Sequence, residues 1–103
     1  PNYALSPVWL SVLLTSQGKR DEAVAEAKRA AELNPLSSFD GQHYAWILYH
    51  ARRFDEAVAQ ARKVLENEPN FSHGLGILGW MFRHLGHSEE SIIYARRAVE
   101  LSG

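Results

Sequence analysis

The sequence has no cysteine and no long apolar run, and its charges are nearly balanced. Without cysteine it forms no disulfide bond, thiolate zinc site or cysteine nucleophile, which is typical of a reducing compartment and favours the cytoplasm. No apolar stretch approaches the roughly 20 residues that span a bilayer. Eleven lysines and arginines against twelve acidic residues give a net charge of −1. That balance argues against a strongly basic nucleic-acid-binding protein.

The N-terminal stretch PNYALSPVW also lacks the basic region and apolar core of a signal peptide. With 103 residues, the chain has room for one small domain. Because it begins with Pro1 rather than methionine, we expect it to be a segment of a longer multidomain protein. A secreted parent protein stays an alternative to a cytoplasmic one.

What the sequence does contain is a repeat of 34 residues. Rows 4–37, 38–71 and 72–103 align without gaps in their second halves, RDEAVAEAKRAAELNP, FDEAVAQARKVLENEP and SEESIIYARRAVELSG. Small residues recur along these second halves at steps of three and four, as on a helix whose backbone approaches a neighbour closely. Acids in the first turn and the closing prolines Pro35 and Pro69 are typical of helix boundaries.

The first half of each row also has the pattern of a helix. Serines stand where these three helices would be capped, at Ser6, Ser38 and Ser72. Gly18 and Gly86 stand where the first helix of a row must end and turn back. Arg52 takes that place in the second row, so its turn must form without glycine. The pattern therefore predicts six helices in three antiparallel pairs.

These rows resemble the tetratricopeptide repeat (TPR) family over essentially the whole chain. The small residue that the family has in the middle of helix A, the first helix of each repeat, is matched by Ser11, Ala45 and Gly79. The alanine near the start of helix B is matched by Ala23 and Ala57, with Ser91 as a departure. The resemblance implies an all-α fold, an α-solenoid (TPR superhelix) of three helix pairs with the A helices along a concave groove.

The family's groove positions, carried over to this sequence, give a candidate partner-binding surface. Its members are Phe39, Gln42, Trp46, Tyr49, His50, His73, Trp80, Arg83 and His84, with Val8, Val12, Thr15 and Ser16 from the first row. Tryptophan, tyrosine and arginine dominate the binding energy of interfaces, so we expect a protein or peptide partner. The alternative is that Trp46 and Trp80 only pack between adjacent A helices.

One subclass of the family holds a C-terminal carboxylate with lysine, asparagine and arginine side chains along the groove. The matching positions here carry none of those residue types; they are Val8, Val12, His43, His73 and Ile77. The resemblance therefore does not extend to receptors of chaperone tails. An apolar or aromatic ligand, or one with a single acidic group for Arg83, is expected instead.

Other chemistries find little support. Gly74, Gly76 and Gly79 match the dinucleotide motif GxGxxG, but no strand precedes them and no cofactor is expected. His50 and His84 share a repeat position without forming an HxxxH pair, so we expect no metal site. Clustered histidines could instead make binding depend on pH near 6–7. Serine, histidine and aspartate are present, but the repeat pattern does not bring them together as a catalytic triad.

The sequence thus predicts a non-enzymatic interaction module that binds a peptide or protein segment, with neither nucleic acid nor membrane as partner. The alternative is a structural spacer or scaffold segment of a larger bacterial regulatory or signalling protein. An apolar stripe on the last helix, formed by Ile92, Ile93, Ala95 and Val99, has no following helix to cover it. We therefore expect self-association through that helix.

Overall fold

The computed structural model describes residues 7–102, and this part of the chain contains six α-helices and no strand. The helices are α1 Pro7–Ser16, α2 Arg20–Leu33, α3 Ser38–His50, α4 Phe54–Asn67, α5 Ser72–His84 and α6 Ser88–Ser102. Consecutive helices pack most extensively in the pairs α1/α2, α3/α4 and α5/α6. The predicted all-α solenoid of three antiparallel helix pairs is confirmed.

The predicted cap of α3 is wrong by one residue. Ser37 holds the capping position, and its hydroxyl oxygen accepts a hydrogen bond from the backbone N–H of Asp40 at 3.2 Å. Ser38 is already helical, and its hydroxyl donates to Glu68 at 2.6 Å, which ties the start of α3 to the end of α4. Two adjacent serines have the same capping chemistry, so only the path of the chain decides between them.

The predicted cap of α5 is also wrong, because Ser72 is the first residue of the helix and Phe71 holds the capping position without a side-chain bond. The Phe71 ring is only 8% exposed and lies edge-on to Phe39. Burial of this ring sets where the chain enters α5. The third predicted cap, Ser6, lies outside the described residues.

The turns inside the three pairs are alike, although only two contain glycine. Gly18, Arg52 and Gly86 all have positive φ, at 75°, 65° and 84°. Each donates its backbone N–H to the carbonyl three residues back, and the residue that follows donates to the carbonyl five back. This is the Schellman motif that ends many helices. The second turn therefore keeps the geometry by placing Arg52 in the left-handed region, which costs about 1 kcal/mol.

Small side chains let the helices of a pair approach closely. Ala27 and Ala57 on the B helices are fully buried. At Gly79 in α5, an added Cβ would lie 3.2 Å from the Ser91 carbonyl oxygen of α6. The Ser91 hydroxyl in turn donates to the Gly79 carbonyl at 2.8 Å. The core that results is apolar, with Leu14, Leu48, Leu78, Met81 and Phe82 among its larger members.

Contacts between repeats are made mainly by each B helix on the A helix that follows it. The A helix α3 contacts both α1 and α5, whereas adjacent B helices make no comparable contact within residues 7–102. The A helices therefore form the inner, concave side of the array and the B helices the outer side. The two junctions are unequal, since α2 packs more extensively on α3 than α4 does on α5.

Candidate functional site

The A helices bring five predicted groove residues together in one aromatic group, the tryptophan cluster: Trp46, Tyr49, His50, Trp80 and His84. The centroid of the Trp80 ring lies 5.1 Å from those of both Trp46 and Tyr49. Each tryptophan also packs against the histidine four residues later in its own helix, Trp46 on His50 at 4.5 Å and Trp80 on His84 at 3.9 Å. The 34-residue repeat places equivalent side chains side by side, so this cluster follows from the repeat itself.

Burial in the cluster is partial. Both tryptophans and Tyr49 are half-buried, whereas His50 and His84 are exposed. The tryptophans thus pack between adjacent A helices and still present ring surface to the concave side. Burial against the cluster lowers the pKa of His50, because a low-dielectric surrounding disfavours the imidazolium.

Two further predicted residues lie at the other end of the concave side. Phe39 is 68% exposed, and its ring centroid lies 6.2 Å from that of His73 on α5. The buried Phe71 ring supports both of them, at 5.3 Å from Phe39 and 6.0 Å from His73. The groove therefore has an aromatic surface at each end.

A cavity of about 380 Å³, here called the groove cavity, lies between the two aromatic surfaces. Its lining comes from all three A helices and consists of Val8, Phe39, Asp40, Gln42, His43, Trp46, His73 and Ile77. Apolar walls with a few polar groups are the usual composition of a binding pocket.

His43 is the polar centre of the groove cavity. Its Nε2 lies 2.7 Å from the Oγ of Ser11, a fully buried residue of α1. The Ser11 hydroxyl donates its only proton to the Val8 carbonyl at 2.6 Å, so Nε2 must be the donor in the bond to Ser11. Burial lowers the pKa of His43, while the carboxylate of Asp40 raises it in part. A largely neutral imidazole with Nδ1 as its acceptor follows.

Gln42, predicted as a groove residue, lines the groove cavity and is nearly buried. It is only 7% exposed, and its Oε1 has no hydrogen-bond partner in the described part of the protein. Buried side-chain acceptors are nearly always paired in native proteins. Gln42 therefore lines the groove cavity while its unsatisfied acceptor lies below the accessible surface of the wall.

The remaining predicted groove residues have less to offer a ligand. Arg83 is exposed on the last turn of α5. In α1, Val8 lines the groove cavity and Val12 is 41% exposed. The hydroxyls of Thr15 and Ser16 are already used within α1, as donors to backbone carbonyls at 2.8 and 2.7 Å.

Sequence reasoning did not single out Asp40, Phe54 or Phe71, all of which belong to this surface. The Phe54 ring packs on Tyr49 at 5.1 Å from the first turn of α4. These positions lie near helix starts, where the repeat pattern alone does not show which way a side chain points. An aromatic residue next to a predicted helix start was the available signal for both phenylalanines.

A larger crevice, of about 680 Å³, lies away from the concave side between α2, α3 and α4. Lys28 and Glu32 of α2 and Lys63 of α4 line it, and Leu36, at 94% exposed, stands at its edge. Its lining mixes both signs of charge and lacks an aromatic cluster. Within residues 7–102 there is neither a group of three side chains able to hold a metal ion nor a helix long and apolar enough to cross a membrane.

Family models described as tetratricopeptide repeat match residues 45–103 and residues 8–35. The first match alone covers more than half of the 103 residues, and the chain belongs to the tetratricopeptide repeat family. This is generally a non-enzymatic protein-interaction fold, and the chain is a protein-interaction module. A search of curated proteins found no match.

Solved TPR structures share the fold. MamA MSR-1 is 25% identical with a TM-score of 0.76, over 93% of this chain and 55% of that protein. MamA AMB-1 is also 25% identical, with a TM-score of 0.74, over 93% and 52%. YrrB, described as a TPR protein with an unusual peptide-binding site, is 20% identical with a TM-score of 0.79, over 92% and 49%. The chain spans about half the length of these three proteins.

Proposed function

We propose that the concave side of the array binds an extended peptide or protein segment. The tryptophan cluster carries the proposal, since it joins half-buried rings of two repeats into one surface on the inner side. Rigid aromatic side chains that keep part of their surface exposed are strong anchors at interfaces. Phe39 and His73 at the other end, with the groove cavity between, provide a continuous apolar track. The peptide-binding site in the description of YrrB supports the same use of the fold.

The test is selection of binding peptides from a random library, followed by affinity measurements on two matched variants. Phe39→Ala removes a 68% exposed ring from the groove, and Leu36→Ala removes a 94% exposed side chain beside the larger crevice. Neither side chain is core, so both variants should stay folded. We expect the first to weaken binding about tenfold, the effect of one good anchor, and the second to leave it unchanged. If only Leu36→Ala weakened peptide binding, the binding site would lie at the larger crevice and not in the groove.

We further propose that the module is non-enzymatic and acts without a cofactor. The groove contains a serine–histidine pair, Ser11 and His43, but the Ser11 hydroxyl is fully buried and donates to the Val8 carbonyl. The groove therefore supports binding rather than catalysis. Near-neutral net charge, −1 over the chain, supports a protein partner rather than nucleic acid. We also propose that the chain is part of a longer multidomain protein in the cytoplasm; the lack of cysteine in the sequence is typical of a reducing compartment.

A second proposal concerns the apolar faces at the two ends of the array and a structural role for the chain. Ile92, Ile93 and Leu101 of α6 are 42–63% exposed, and Trp9, Leu10 and Leu13 of α1 are 41–46% exposed. Inside the array, each B helix packs on the following A helix. A second copy that places its α1 on this α6 would repeat that junction and cover both faces. In a longer array, a neighbouring repeat of the same protein would do so.

A further inference from the structure

The polar groups that line the groove cavity are mainly acceptors. Its lining includes the carboxylate of Asp40 and no lysine or arginine. Asp40 lies in the first turn of α3, where its backbone N–H donates to the Ser37 hydroxyl and its carboxylate acts electrostatically on His43. A cavity with a carboxylate and no basic side chain complements a positively charged group.

Gln42 is a further polar residue of the lining. Its side chain is more than nine-tenths buried, lines the cavity, and leaves Oε1 without a partner in the described structure. An unsatisfied buried acceptor costs about 1–3 kcal/mol. Because Oε1 lies below the accessible surface of the cavity wall, a ligand in the cavity leaves this cost unchanged, and the carboxylate of Asp40 is the acceptor it meets.

His43 is also an acceptor in the cavity lining. Its Nε2–H is committed to Ser11, whose own proton goes to the Val8 carbonyl. The neutral imidazole therefore has a lone pair on Nδ1 as its remaining polar function. The titratable groups of the cavity lining are Asp40 and His43 on α3 and His73 on α5. None of them adds a permanent positive charge.

Aromatic rings complete the environment. Phe39 and Trp46 both line the cavity, and Phe39 and His73 stand 6.2 Å apart at its edge. A guanidinium binds well in such a site, because it stacks on aromatic faces while its planar N–H groups reach carboxylate and amide oxygens.

We propose that the groove cavity holds the side chain of an arginine in the bound segment, with Asp40 as its acceptor and Phe39 and Trp46 as its aromatic walls. This inference rests on the proposed groove function and specifies its ligand. It replaces the earlier expectation of an apolar ligand or an acidic group at Arg83 with a basic residue at the opposite end of the groove.

Two small probes test the cavity directly: N-acetyl-L-arginine amide and its uncharged isostere N-acetyl-L-citrulline amide. Each is titrated into the protein while backbone and Gln42 side-chain amide resonances are recorded. We expect the arginine probe to shift the resonances of Asp40, Gln42 and His43 with at least tenfold lower Kd than the citrulline probe. Equal binding of the two, or shifts confined to the larger crevice, would overturn the inference.

Two variants separate the role of the cavity from the stability of the fold. Asp40→Asn keeps the shape of the side chain, and it should bring the Kd of the arginine probe to that of citrulline. Gln42→Met is the control: it removes the unpaired buried acceptor at similar volume, and it should leave the Kd of the arginine probe unchanged and unfolding stability equal or higher. Unchanged arginine binding in the folded Asp40→Asn variant would contradict the assignment.

The outcome for the cavity is distinguishable from that for the groove. If peptides from the library bind and respond to Phe39→Ala, but carry no arginine and the arginine probe does not bind, this inference fails and the proposed function stands. If the arginine probe binds as expected while no selected peptide responds to Phe39→Ala, the proposed function fails.

Discussion

Trp46 and Trp80 stand at the same position of adjacent A helices, and their ring centroids lie 5.1 Å apart. Because each ring is half-buried, replacement of either by alanine should lower the free energy of unfolding by about 2 kcal/mol, less than for a fully buried tryptophan. The two effects should not add, since the second replacement acts on a pair already broken. We expect a coupling of about 1 kcal/mol in a urea-unfolding double-mutant cycle.

Trp9 provides the control for that cycle. It lies on α1, is 46% exposed, and has no ring contact with the tryptophan cluster among the described residues. Trp9→Ala combined with Trp46→Ala should therefore be additive within about 0.5 kcal/mol. Additivity in the Trp46/Trp80 cycle as well would mean that the rings do not stabilise each other.

Arg52 is the non-glycine residue at the left-handed position of the second turn, with φ of 65°. Arg52→Gly should raise the free energy of unfolding by about 1 kcal/mol, because glycine adopts this conformation without steric cost. Thermal and urea unfolding measure the change. The reverse substitution at the matching position, Gly86→Ala, should destabilise by a similar amount, since φ is 84° there. Equal stability of all three proteins would refute the argument.

Two glycines of α5 should respond in opposite directions to alanine. An added Cβ at Gly76 meets nothing within 4 Å, so Gly76→Ala should stabilise by about 1 kcal/mol through helix propensity alone. At Gly79 the same atom would lie 3.2–3.3 Å from the backbone of α6. Gly79→Ala should therefore separate the helices and destabilise by about 1 kcal/mol. Equal gains at both positions would show that α6 is easily displaced.

Stability should fall as the pH drops from 7.5 to 5.5. Burial lowers the pKa of His43 and of His50 below their ordinary value of 6.5. Below pH 6.5 the unfolded chain therefore binds more protons than the folded one, and protonation favours unfolding. Above that value both forms are neutral and the contribution is fully present. Urea unfolding at several pH values should show a smaller slope for the His43→Gln/His50→Gln variant; equal slopes would contradict the assignment.

Association should depend on the exposed face of α6. Ile93 is 63% exposed there, and Ile93→Glu should shift sedimentation velocity profiles toward the monomer at concentrations where the wild type associates. Leu36→Glu is the matched control, because Leu36 is 94% exposed but lies away from both ends. A wild type that stays monomeric at all concentrations would contradict the proposed contact.

The 34-residue spacing was sufficient to predict the six helices and their pairing, because one supersecondary unit recurs with the same small residues at its contacts. Local signals were weaker. Ser37 and Ser38 are equivalent as capping residues, and burial of Phe71 rather than cap chemistry decides the start of α5. Where packing competes with a local capping preference, the sequence pattern alone does not show which of the two determines the start of the helix.

The groove was predictable to the extent that it follows the repeat. Trp46 and Trp80 are equivalent positions, and they meet. Ser11 and His43 are 32 positions apart, so they are not equivalent, and their hydrogen bond depends on how α1 and α3 pack. The burial of Gln42 is likewise a tertiary effect. Contacts that cross the repeat register need the three-dimensional arrangement before they can be identified.

The two junctions between repeats are unequal, since α4 packs less extensively on α5 than α2 does on α3. If the two ends of the array were pulled apart, we expect the helix pairs to separate first between α4 and α5. The third helix pair would then separate as a unit, while the first two pairs stay packed together. The boundary between the second and third pairs also runs between Trp46 on α3 and Trp80 on α5, so a segment bound across both rings would hold these two pairs together.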